Sequence, residues 1–532
     1  MNAHMDDSKL LRVGLITACL ALIPSLSSSA QEIPSVPKWQ RFELTLRSSR
    51  NYARPPQEAE VRALFVSPLG ETNRVYGFWD GGRTWRVRYQ PAFPGRWTYY
   101  TMCSDTSNPG LHERAGEFLC IAAKADHRFA EHGPIQVARD NQHFEHADRL
   151  PFLWLGDAAW NAAERSSVRD WNEYVRIRAS QKFNVVQWKL PASVFKGRTS
   201  IELNLELFRQ LETKIQSAAQ AGLLSAIAPL WEIGANSEET LPEDQAIILL
   251  RYCMARWDTA NVAWIIAFEA DNTGTQGARW QRIGRAAFNT VSHAPVVILP
   301  GESTWALDNF RNERWVAALG LQTTQVKNED SLLWLLNGPL SLERGKSPAR
   351  PLIALAPAVE TVNSPFANSG LSRRLLWWNL LLNTPAGVSS SAADVADWTT
   401  KPGSPPTAQP WYQATSLASA TAMGPISDCF SSRDFWRLHP LTQAVLSQAE
   451  IKIPRNQNVV VGTELRDLVV AYVPDDRSIG IANRALPARA SGLWFNPRTG
   501  ETTPANGTAV NAAYNFATPA PGDWLLILSA RK

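Results

Sequence analysis

The sequence predicts an α/β protein in which a (β/α)₈ TIM barrel is flanked by an N-terminal β-sandwich and a small C-terminal β-sandwich. Short apolar strands alternate with amphipathic helices over about 300 residues, which is typical of a parallel sheet. On either side of this region, short strands follow one another with turn residues between them. The length of 532 residues also exceeds what one hydrophobic core usually serves, so several domains are expected.

Residues 1–30 have the pattern of a signal peptide. Lys9 and Arg12 supply the charged start, residues 13–23 are apolar, and residues 28–30 are small residues ahead of an expected cleavage. The apolar stretch is shorter than the roughly 20 residues that a membrane span needs. We therefore expect an exported protein, periplasmic or extracellular, with no membrane span.

Residues 31–130 are predicted to form the N-terminal β-sandwich. Trp85, Val87 and Tyr89 alternate with arginines, so the two sets face opposite sides of one strand. A turn signal, Asp-Gly-Gly, precedes this strand. Cys103 and Cys120 lie in the same region, and two alternatives stay open at this point: a disulfide, or two unpaired thiols on adjacent strands.

Residues 131–448 are predicted to form the barrel, and residues 449–532 the C-terminal β domain. Helices are expected between most of the barrel strands, for example over residues 167–182 and from residue 205 to a glycine C-cap at Gly222. Eight apolar segments supply the strands: residues 152–156, 183–190, 223–230, 262–268, 296–299, 316–321, 352–356 and 387–391. The count of eight favours a closed barrel over an open doubly wound sheet.

Composition argues against several classes of function. The net charge is only +4 and no run of basic residues stands out, so nothing indicates nucleic-acid binding. The chain lacks dinucleotide, P-loop, HExxH and CxxC motifs, and no cofactor is expected. His132, His143 and His146 could chelate a metal, but a surface strand and turn near the domain junction is the favoured interpretation. The 22 tryptophans suit sugar faces, although many are expected in the core.

Candidate site residues are the polar side chains expected directly after the barrel strands, because a barrel carries its function on those loops. A pair of carboxylates there would suit glycoside cleavage, in which one protonates the leaving oxygen while the other attacks the sugar or activates water. Glu269 stands out because it directly follows an apolar strand, where partial burial would favour acid work. The full set is Asp157, Trp160, Trp231, Glu232, Glu269, Asp271, Glu302 and Glu360, with Asp394 beyond the eighth strand.

Three regions of the sequence resemble the domains of one family of glycoside hydrolases. PFLWLGDAAWNAA (151–163) and DWNEYVRIRASQKFNVVQ (170–187) are similar to the opening of the apiosidase-like barrel, the group that includes family 140. RVYGFWDGGRTWRVRYQPAFPGRWTYYT (74–101) resembles the β-sandwich that commonly precedes it. LWFNPRTGE (493–501) and PAPGDWLLIL (519–528) resemble the C-terminal β domain of the collagen-binding type.

The resemblance implies a retaining-type glycosidase that acts on plant or complex polysaccharide. Its acid/base carboxylate closes the fourth strand, where this chain has Glu269, and its nucleophile is a glutamate in a pattern like EPxYE after the seventh. Here that stretch is ALAPAVE (354–360), so Ala356 occupies the nucleophile position and Glu360 follows it. Alanine cannot attack an anomeric carbon.

Three hypotheses follow. The first is an active glycosidase with Glu269 as acid/base and Glu360 as substitute nucleophile or base; Asp157, Trp160, Trp231, Glu232, Asp271 and Glu302 would bind the polysaccharide or oligosaccharide. The second is a carbohydrate-binding protein with an inactive barrel. The third is an envelope adhesion or scaffold protein whose β domains carry the function, with the barrel mouth filled by side chains.

Overall fold

The computed structural model describes residues 33–531, apart from 125, 231–240, 268–273, 302–306, 324–328, 344, 357–358, 362–368, 404–407, 442, 445–455 and 476–477. Across these residues, no helix combines the length and apolar character needed to cross a membrane.

The N-terminal domain is a seven-stranded sheet that curls so that its two ends pack against each other. Its strand order is β1-β7-β6-β3-β4-β5-β2. Phe42 of β2 stacks on Phe118 of β7 with ring centroids 4.0 Å apart, although the two strands stand far apart in that order. The strands are β1 (Ser35–Pro37), β2 (Phe42–Arg47), β3 (Val61–Val66), β4 (Thr72–Trp79), β5 (Thr84–Tyr89), β6 (Gly95–Cys103) and β7 (Ala115–Ile121), with a short helix α1 (Pro55–Glu58) after β2. The predicted sandwich is confirmed, because one apolar core fills the space between the two ends.

The four described cysteines are unpaired. Cys103 is opposite Val61 in the ladder, whereas Cys120 is opposite Gly95, at the other end of β6. The two thiols therefore stand at opposite ends of that strand, and of the two alternatives the unpaired one holds.

A small antiparallel sheet joins the sandwich to the barrel. It has the order β10-β9-β8 and is preceded by helix α2 (Arg128–His132). Its strands are β8 (Ile135–Val137), β9 (Phe144–His146) and β10 (Pro151–Phe152).

The central domain is a closed barrel of eight parallel strands, as the sequence predicts. Each predicted segment contributes one strand. These are β11 (Trp154–Ala158), β12 (Val185–Lys189), β15 (Leu224–Ala228), β16 (Val262–Ile266), β17 (Val296–Ile298), β18 (Ala318–Gln322), β19 (Leu352–Ala356) and β20 (Gly387–Ser390). A short hairpin of β13 (Phe195–Lys196) and β14 (Glu202–Leu203) follows the second strand.

Helices cover the outside of the barrel. Ser167 caps α4 by accepting the backbone N–H of Asp170 at 3.0 Å, and α5 ends ahead of Gly222, whose φ of +81° suits glycine. The helices are α3 (Ala162–Arg165), α4 (Val168–Ser180), α5 (Leu205–Gln220), α6 (Glu243–Trp257), α7 (Gly274–Phe288), α8 (Asp308–Arg311), α9 (Glu329–Asn337), α10 (Pro339–Leu342), α11 (Ser369–Leu381), α12 (Ala393–Ala396), α13 (Trp411–Ala414), α14 (Ala418–Thr421) and α15 (Met423–Ser431).

Two apolar clusters divide the barrel. Side chains alternate along each barrel strand, so that every second one fills the interior and the others pack under the helices. In β12, for example, Val185 belongs to the interior cluster and Val186 to the outer one.

The C-terminal domain is a sandwich of a six-stranded and a three-stranded sheet. Trp494 and Trp524 are 2% and 6% exposed in its core, so both are core anchors. The larger sheet, in the order β21-β22-β23-β29-β25-β26, has β21 (His439–Pro440), β22 (Val459–Gly462), β23 (Leu468–Val473), β25 (Ser491–Phe495), β26 (Thr502–Pro504) and β29 (Trp524–Ser529); the smaller has β24 (Ser478–Ala482), β27 (Gly507–Val510) and β28 (Ala513–Ala517).

Candidate active site

The carboxyl ends of the eight parallel strands form one rim of the barrel, and most of the predicted site residues belong to the segments that follow these ends. Asp157, Trp160, Ala356 and Glu360 are described by the structure, and so is Asp394, which is buried in α12. The remaining predictions lie outside the described residues. These are Trp231, Glu232, Glu269, Asp271 and Glu302.

The fourth barrel strand ends in an unusual backbone conformation. Ala267, directly after β16, has a φ of +59°, a region that residues with a Cβ rarely adopt. Such strain costs of the order of 1–3 kcal/mol, and it clusters at functional sites. Glu269 is two residues further along the chain. The strained position thus directly precedes the segment in which the acid/base carboxylate is predicted.

Asp157 lies within its strand and faces outward. It was expected to follow the first strand, but β11 spans residues 154–158 because Phe152 pairs in the separate small sheet. Its fully buried carboxylate accepts hydrogen bonds from Arg178 Nε at 2.6 Å and from the Tyr174 hydroxyl at 2.5 Å, both on α4. This geometry does not bring Asp157 to the rim, and the residue instead ties α4 to the barrel wall.

Trp160 does lie at the rim. It is 9% exposed and packs with the interior cluster, and its carbonyl accepts the backbone N–H of Lys189, the last residue of β12, at 3.0 Å. Lys189 shares strand parity with Val185, which faces the interior. An indole and a lysine therefore stand at neighbouring strand ends, a pairing of residue types that suits sugar binding.

Glu360 is 3% exposed, and one of its carboxylate oxygens is occupied. Oε2 accepts the backbone N–H of Ser419 at 2.9 Å, in the first turn of α14, while the Glu360 backbone forms a parallel bridge with Ala392. The N–H of Glu360 donates to the carbonyl of Ser391. This carboxylate therefore holds together the segments that follow the seventh and eighth strands.

Ala356, in the position that the family resemblance gives to the nucleophile, ends β19. Its side chain is 3% exposed and belongs to the interior apolar cluster. The ladder with β18 shifts register here, so that Ala356 pairs with Gln322, the last residue of β18. A methyl group at this position supplies no nucleophile and no hydrogen bond.

A polar group in the barrel interior escaped the sequence analysis. Gln187 is fully buried; its Nε2 donates to the carbonyl of Leu355 at 2.7 Å, and its Oε1 accepts hydrogen bonds from Ser389 Oγ and from Trp154 Nε1. The signal was a glutamine at the interior parity of the apolar strand VVQWK. The network joins four strands just below the rim.

No metal cluster occurs among the described residues. His146 donates through Nδ1 to the carbonyl of Gly133, and its Nε2 accepts from Arg128. His143 contacts the Asp140 carboxylate at 2.9 Å. Both rings are engaged in contacts within the chain, and they are buried, at 6% and 0% exposed, rather than on the surface strand that the sequence favours.

Three family models match the chain. The model described as "Apiosidase-like, catalytic domain" matches residues 138–437, more than half of the sequence. A domain of unknown function, DUF5060, matches residues 35–104, and the "Putative collagen-binding domain of a collagenase" matches residues 444–529. No curated protein sequence matches the chain.

Solved structures show the same architecture. A protein described as a "putative glycoside hydrolase" from Bacteroides vulgatus ATCC 8482 aligns with a TM-score of 0.66 at 17% identity, covering 93% of this chain and 99% of its own. A glycoside hydrolase family 5 protein from the same organism aligns with a TM-score of 0.64 at 16% identity, covering 75% of this chain and 94% of its own. At such identities the likeness concerns the fold alone.

Proposed function

Because the chain belongs to the apiosidase-like family of glycoside hydrolases, we propose that it is an exported enzyme that hydrolyses glycosidic bonds in a complex polysaccharide, with Glu269 as general acid/base. The observation that carries the proposal is the end of the fourth barrel strand. Ala267 is held at a φ of +59° two residues before Glu269, at the strand end where the family resemblance expects the acid/base.

In this proposal Glu269 protonates the leaving glycosidic oxygen and later accepts a proton from water. Trp160 supplies an aromatic surface at the rim, where it is 9% exposed. Trp231, Glu232, Asp271 and Glu302 complete the binding surface on the loops after the third, fourth and fifth strands. Asp157 is not part of the proposed substrate contacts, because its carboxylate is bound to Arg178 and Tyr174.

Glu360 is proposed as the second carboxylate, in place of the family nucleophile. Its Oε2 is bound to the Ser419 N–H, which would keep the carboxylate in one orientation. A separation from Glu269 of about 5–5.5 Å would suit retention of configuration, and about 6.5–9.5 Å would suit inversion through an activated water. The stereochemistry of the product therefore reports the arrangement of the pair.

A second function is favoured by Ala356. The expected nucleophile position carries a buried methyl group, and the carboxylate four residues later holds α14. A barrel of this kind would bind a polysaccharide without cleaving it.

The deciding experiment compares Glu269→Gln with the unaltered protein on a broad panel of plant and bacterial polysaccharides. General acid–base catalysis contributes about 10²–10⁴-fold, so release of reducing sugar is expected to fall by at least about a hundredfold. Glu173→Gln is the matched control, because Glu173 is exposed on α4 and pairs only with Arg176 among the contacts described for it. If the unaltered protein hydrolyses none of the substrates but still binds an oligosaccharide, the proposal of an enzyme is wrong and that of a carbohydrate-binding protein is favoured.

Glu360→Gln separates the two carboxylate roles. The amide oxygen of glutamine still accepts the Ser419 N–H, so the fold is expected to persist. Loss of hydrolysis at an unchanged melting temperature is expected if Glu360 is the nucleophile or base. Full activity in this variant would mean that Glu360 only holds the rim segments together and takes no part in catalysis.

A further inference from the structure

A cavity of about 350 Å³ lies where the barrel strands begin, away from the rim. On the barrel side it is lined by Leu153 and Asn184, which directly precede β11 and β12. Helix α2 contributes Arg128, and α15 with the turn after it contributes residues 430–436. Strand starts face the amino-terminal end of a (β/α)₈ barrel, so this junction pocket is at the opposite end from the proposed catalytic residues.

Arg128 brings to the junction pocket a guanidinium that no described carboxylate neutralises. Its Nε donates to His146 Nε2 at 3.0 Å, and burial lowers the pKa of His146 to about 4, so this partner is uncharged at neutral pH. The Phe152 ring centroid lies 5.4 Å from the guanidinium carbon. Both Nη atoms lack an acceptor among the described residues, and both are accessible to solvent. The Nη1–Nη2 edge can therefore receive an anion, which would offset the cost of a half-buried charge.

A second guanidinium, that of Arg433, lines the same pocket. Its Nη1 donates to the carbonyl of Cys429, whereas Nε and Nη2 have no partner among the described residues and are accessible to solvent. Guanidinium groups often bind a carboxylate through two parallel N–H···O bonds along one edge. Arg433 has such an edge unused at Nε and Nη2, as Arg128 has at its two Nη atoms.

The described carboxylates around the junction pocket contact other groups. Asp434 is the acidic residue of the described lining, and its Oδ2 lies 3.2 Å from Arg437 Nη1. The acidic residues on the neighbouring elements contact histidines, an arginine or a lysine: Asp126, Glu131, Asp140, Glu145, Asp148 and Asp428. Two arginines thus stand against one carboxylate that a third arginine already pairs, so the pocket has an excess of positive charge.

The accessible side chains beside the two arginines include an apolar wall, formed by Leu150, Pro151 and Trp436. Leu150 is 41% exposed, and Pro151 and Trp436 are half-buried, so a ligand in the pocket can reach all three. His143 stacks on Trp436 with ring centroids 5.8 Å apart, and Phe435 meets it edge-on at 5.2 Å, which holds the indole in place. The wall suits a flat apolar body. Serine hydroxyls complete the polar lining: Ser427, Ser431 and Ser432.

We propose that the junction pocket binds a small aromatic carboxylate, whose carboxylate meets the two arginines and whose ring packs against the apolar wall. A sugar acid would need partners for several hydroxyl groups, but the Asn184 amide is engaged: Oδ1 accepts the Leu155 N–H at 2.8 Å, and Nδ2 donates to the Leu153 carbonyl at 2.7 Å. An aromatic acid needs one charged edge and an apolar surface, which this lining supplies. The volume of about 350 Å³ is at the lower end for small-molecule sites.

The test is calorimetric titration of the full chain with cinnamate at low ionic strength. Three comparison ligands separate the features: cinnamyl alcohol keeps the ring without the charge, galacturonate keeps the carboxylate on a polar body, and inorganic phosphate is an anion alone. Cinnamate is expected to bind with a Kd of about 1 mM or lower, and the other three at least about tenfold more weakly. No binding of cinnamate, or binding of any comparison ligand within about tenfold of it, would overturn the proposal.

Two variants connect the binding to the arginines. Arg128→Gln and Arg433→Gln are each expected to weaken cinnamate binding by about tenfold or more, because each removes charge-assisted hydrogen bonds. Arg139→Gln is the matched control, because Arg139 is exposed near the same sheet, outside the pocket, and should bind cinnamate as before. Arg128→Gln also loses the bond to His146, so Arg433→Gln decides if that variant does not fold. Unchanged binding in folded Arg433→Gln would overturn the proposal, and the proposed glycosidase would be unaffected, since the pocket does not involve Glu269.

Discussion

Two carboxylates of the barrel domain differ in what neutralises them. Asp157 meets the guanidinium of Arg178 at 2.6 Å, so its charge is paired. Asp258, at the end of α6, instead accepts the indole N–H of Trp264 at 2.8 Å and the backbone N–H of Ala294 at 3.3 Å. Burial raises the pKa of Asp258 to about 7, and these two hydrogen bonds oppose the rise only in part. Asp258 is therefore partly protonated at neutral pH.

Asp258→Asn is expected to stabilise the protein at alkaline pH. The folded pKa near 7 lies above the unfolded value of 3.8, so the carboxyl group costs stability as the pH rises through this interval. Asparagine can accept the same two hydrogen bonds without a charge. The free energy of unfolding is expected to rise by at most about 4 kcal/mol at pH 8, and this gain should shrink towards pH 4. Urea unfolding at pH 5 and pH 8 measures the change in the free energy of unfolding that the substitution causes. An equal change at both pH values would contradict the raised pKa of Asp258.

The environment of a single residue depends on strand boundaries and on distant contacts, which sequence patterns report poorly. Asp157 illustrates the reason: a shift of two residues in the strand boundary moved it from a loop into β11, on the outward face. Glu360 follows the seventh strand, which ends at Ala356, but its bond to the Ser419 N–H joins residues 59 positions apart. No local pattern reports such a contact. Glu269 and the other rim residues outside the described part of the chain stay predictions.

Secondary structure elements, in contrast, were predictable. The eight barrel strands were found at the expected segments because each is a short apolar run bounded by helices, and burial on both faces demands such runs. Helix α4 begins after Ser167 because the side chain of this residue accepts a backbone N–H of the first turn. These signals are local, which explains why the sequence was sufficient.

The interior of the barrel depends on Gln187, which joins strands rather than packing within one. Gln187→Ala would leave the Leu355 carbonyl and the Trp154 indole without their partner and would open a cavity. We expect a loss of about 2–4 kcal/mol in the free energy of unfolding. Ser225→Ala is the control, because Ser225 Oγ is buried with no partner among the described residues, and it should be neutral or stabilising. Chemical denaturation measures the free energy of unfolding of both variants. Equal losses in the two variants would show that the hydrogen bonds of Gln187 do not stabilise the barrel.

The whole molecule is held together at two junctions of different chemistry. At the C-terminal junction, Arg373 of α11 makes a bidentate contact with Asp523 at 2.8 Å for both bonds, and Tyr472 donates to the same carboxylate. Trp377 of α11 stacks on Tyr472. Because α11 begins nine residues after Glu360, the C-terminal domain braces the element that follows the proposed second carboxylate. This position favours a supporting role for the domain.

At the N-terminal junction, Glu212 of α5 contacts three guanidinium groups. Its Oε1 contacts Arg41 at 2.9 Å and Arg88 at 2.8 Å, both from the sandwich, and its Oε2 accepts Arg256 Nε at 3.1 Å. Although burial opposes the charged form, Arg88 and the other two guanidinium groups hold the pKa of Glu212 below its usual range. These ion pairs therefore stabilise the folded protein above pH 4.5, the ordinary pKa of a glutamate. The stabilisation is lost as the pH falls further, through the lowered pKa of Glu212.

Glu212→Ala is expected to destabilise the whole chain and to loosen the sandwich from the barrel, because three guanidinium groups would lose their shared partner. Breaking a buried pair in this way costs about 3–5 kcal/mol, and the partial exposure of Arg41 places the expectation near the lower figure. Scanning calorimetry should show the first transition at a lower temperature, with early proteolytic release of the N-terminal domain. Glu206→Ala on the same helix, whose side chain is 71% exposed and 3.9 Å from Arg209, should change stability by less than about 0.5 kcal/mol. If both variants unfold like the unaltered protein, the other contacts of this junction hold the two domains together, among them the Arg256–Asp80 ion pair at 3.1 Å and the packing of Phe78 on Tyr252, whose ring centroids lie 5.9 Å apart.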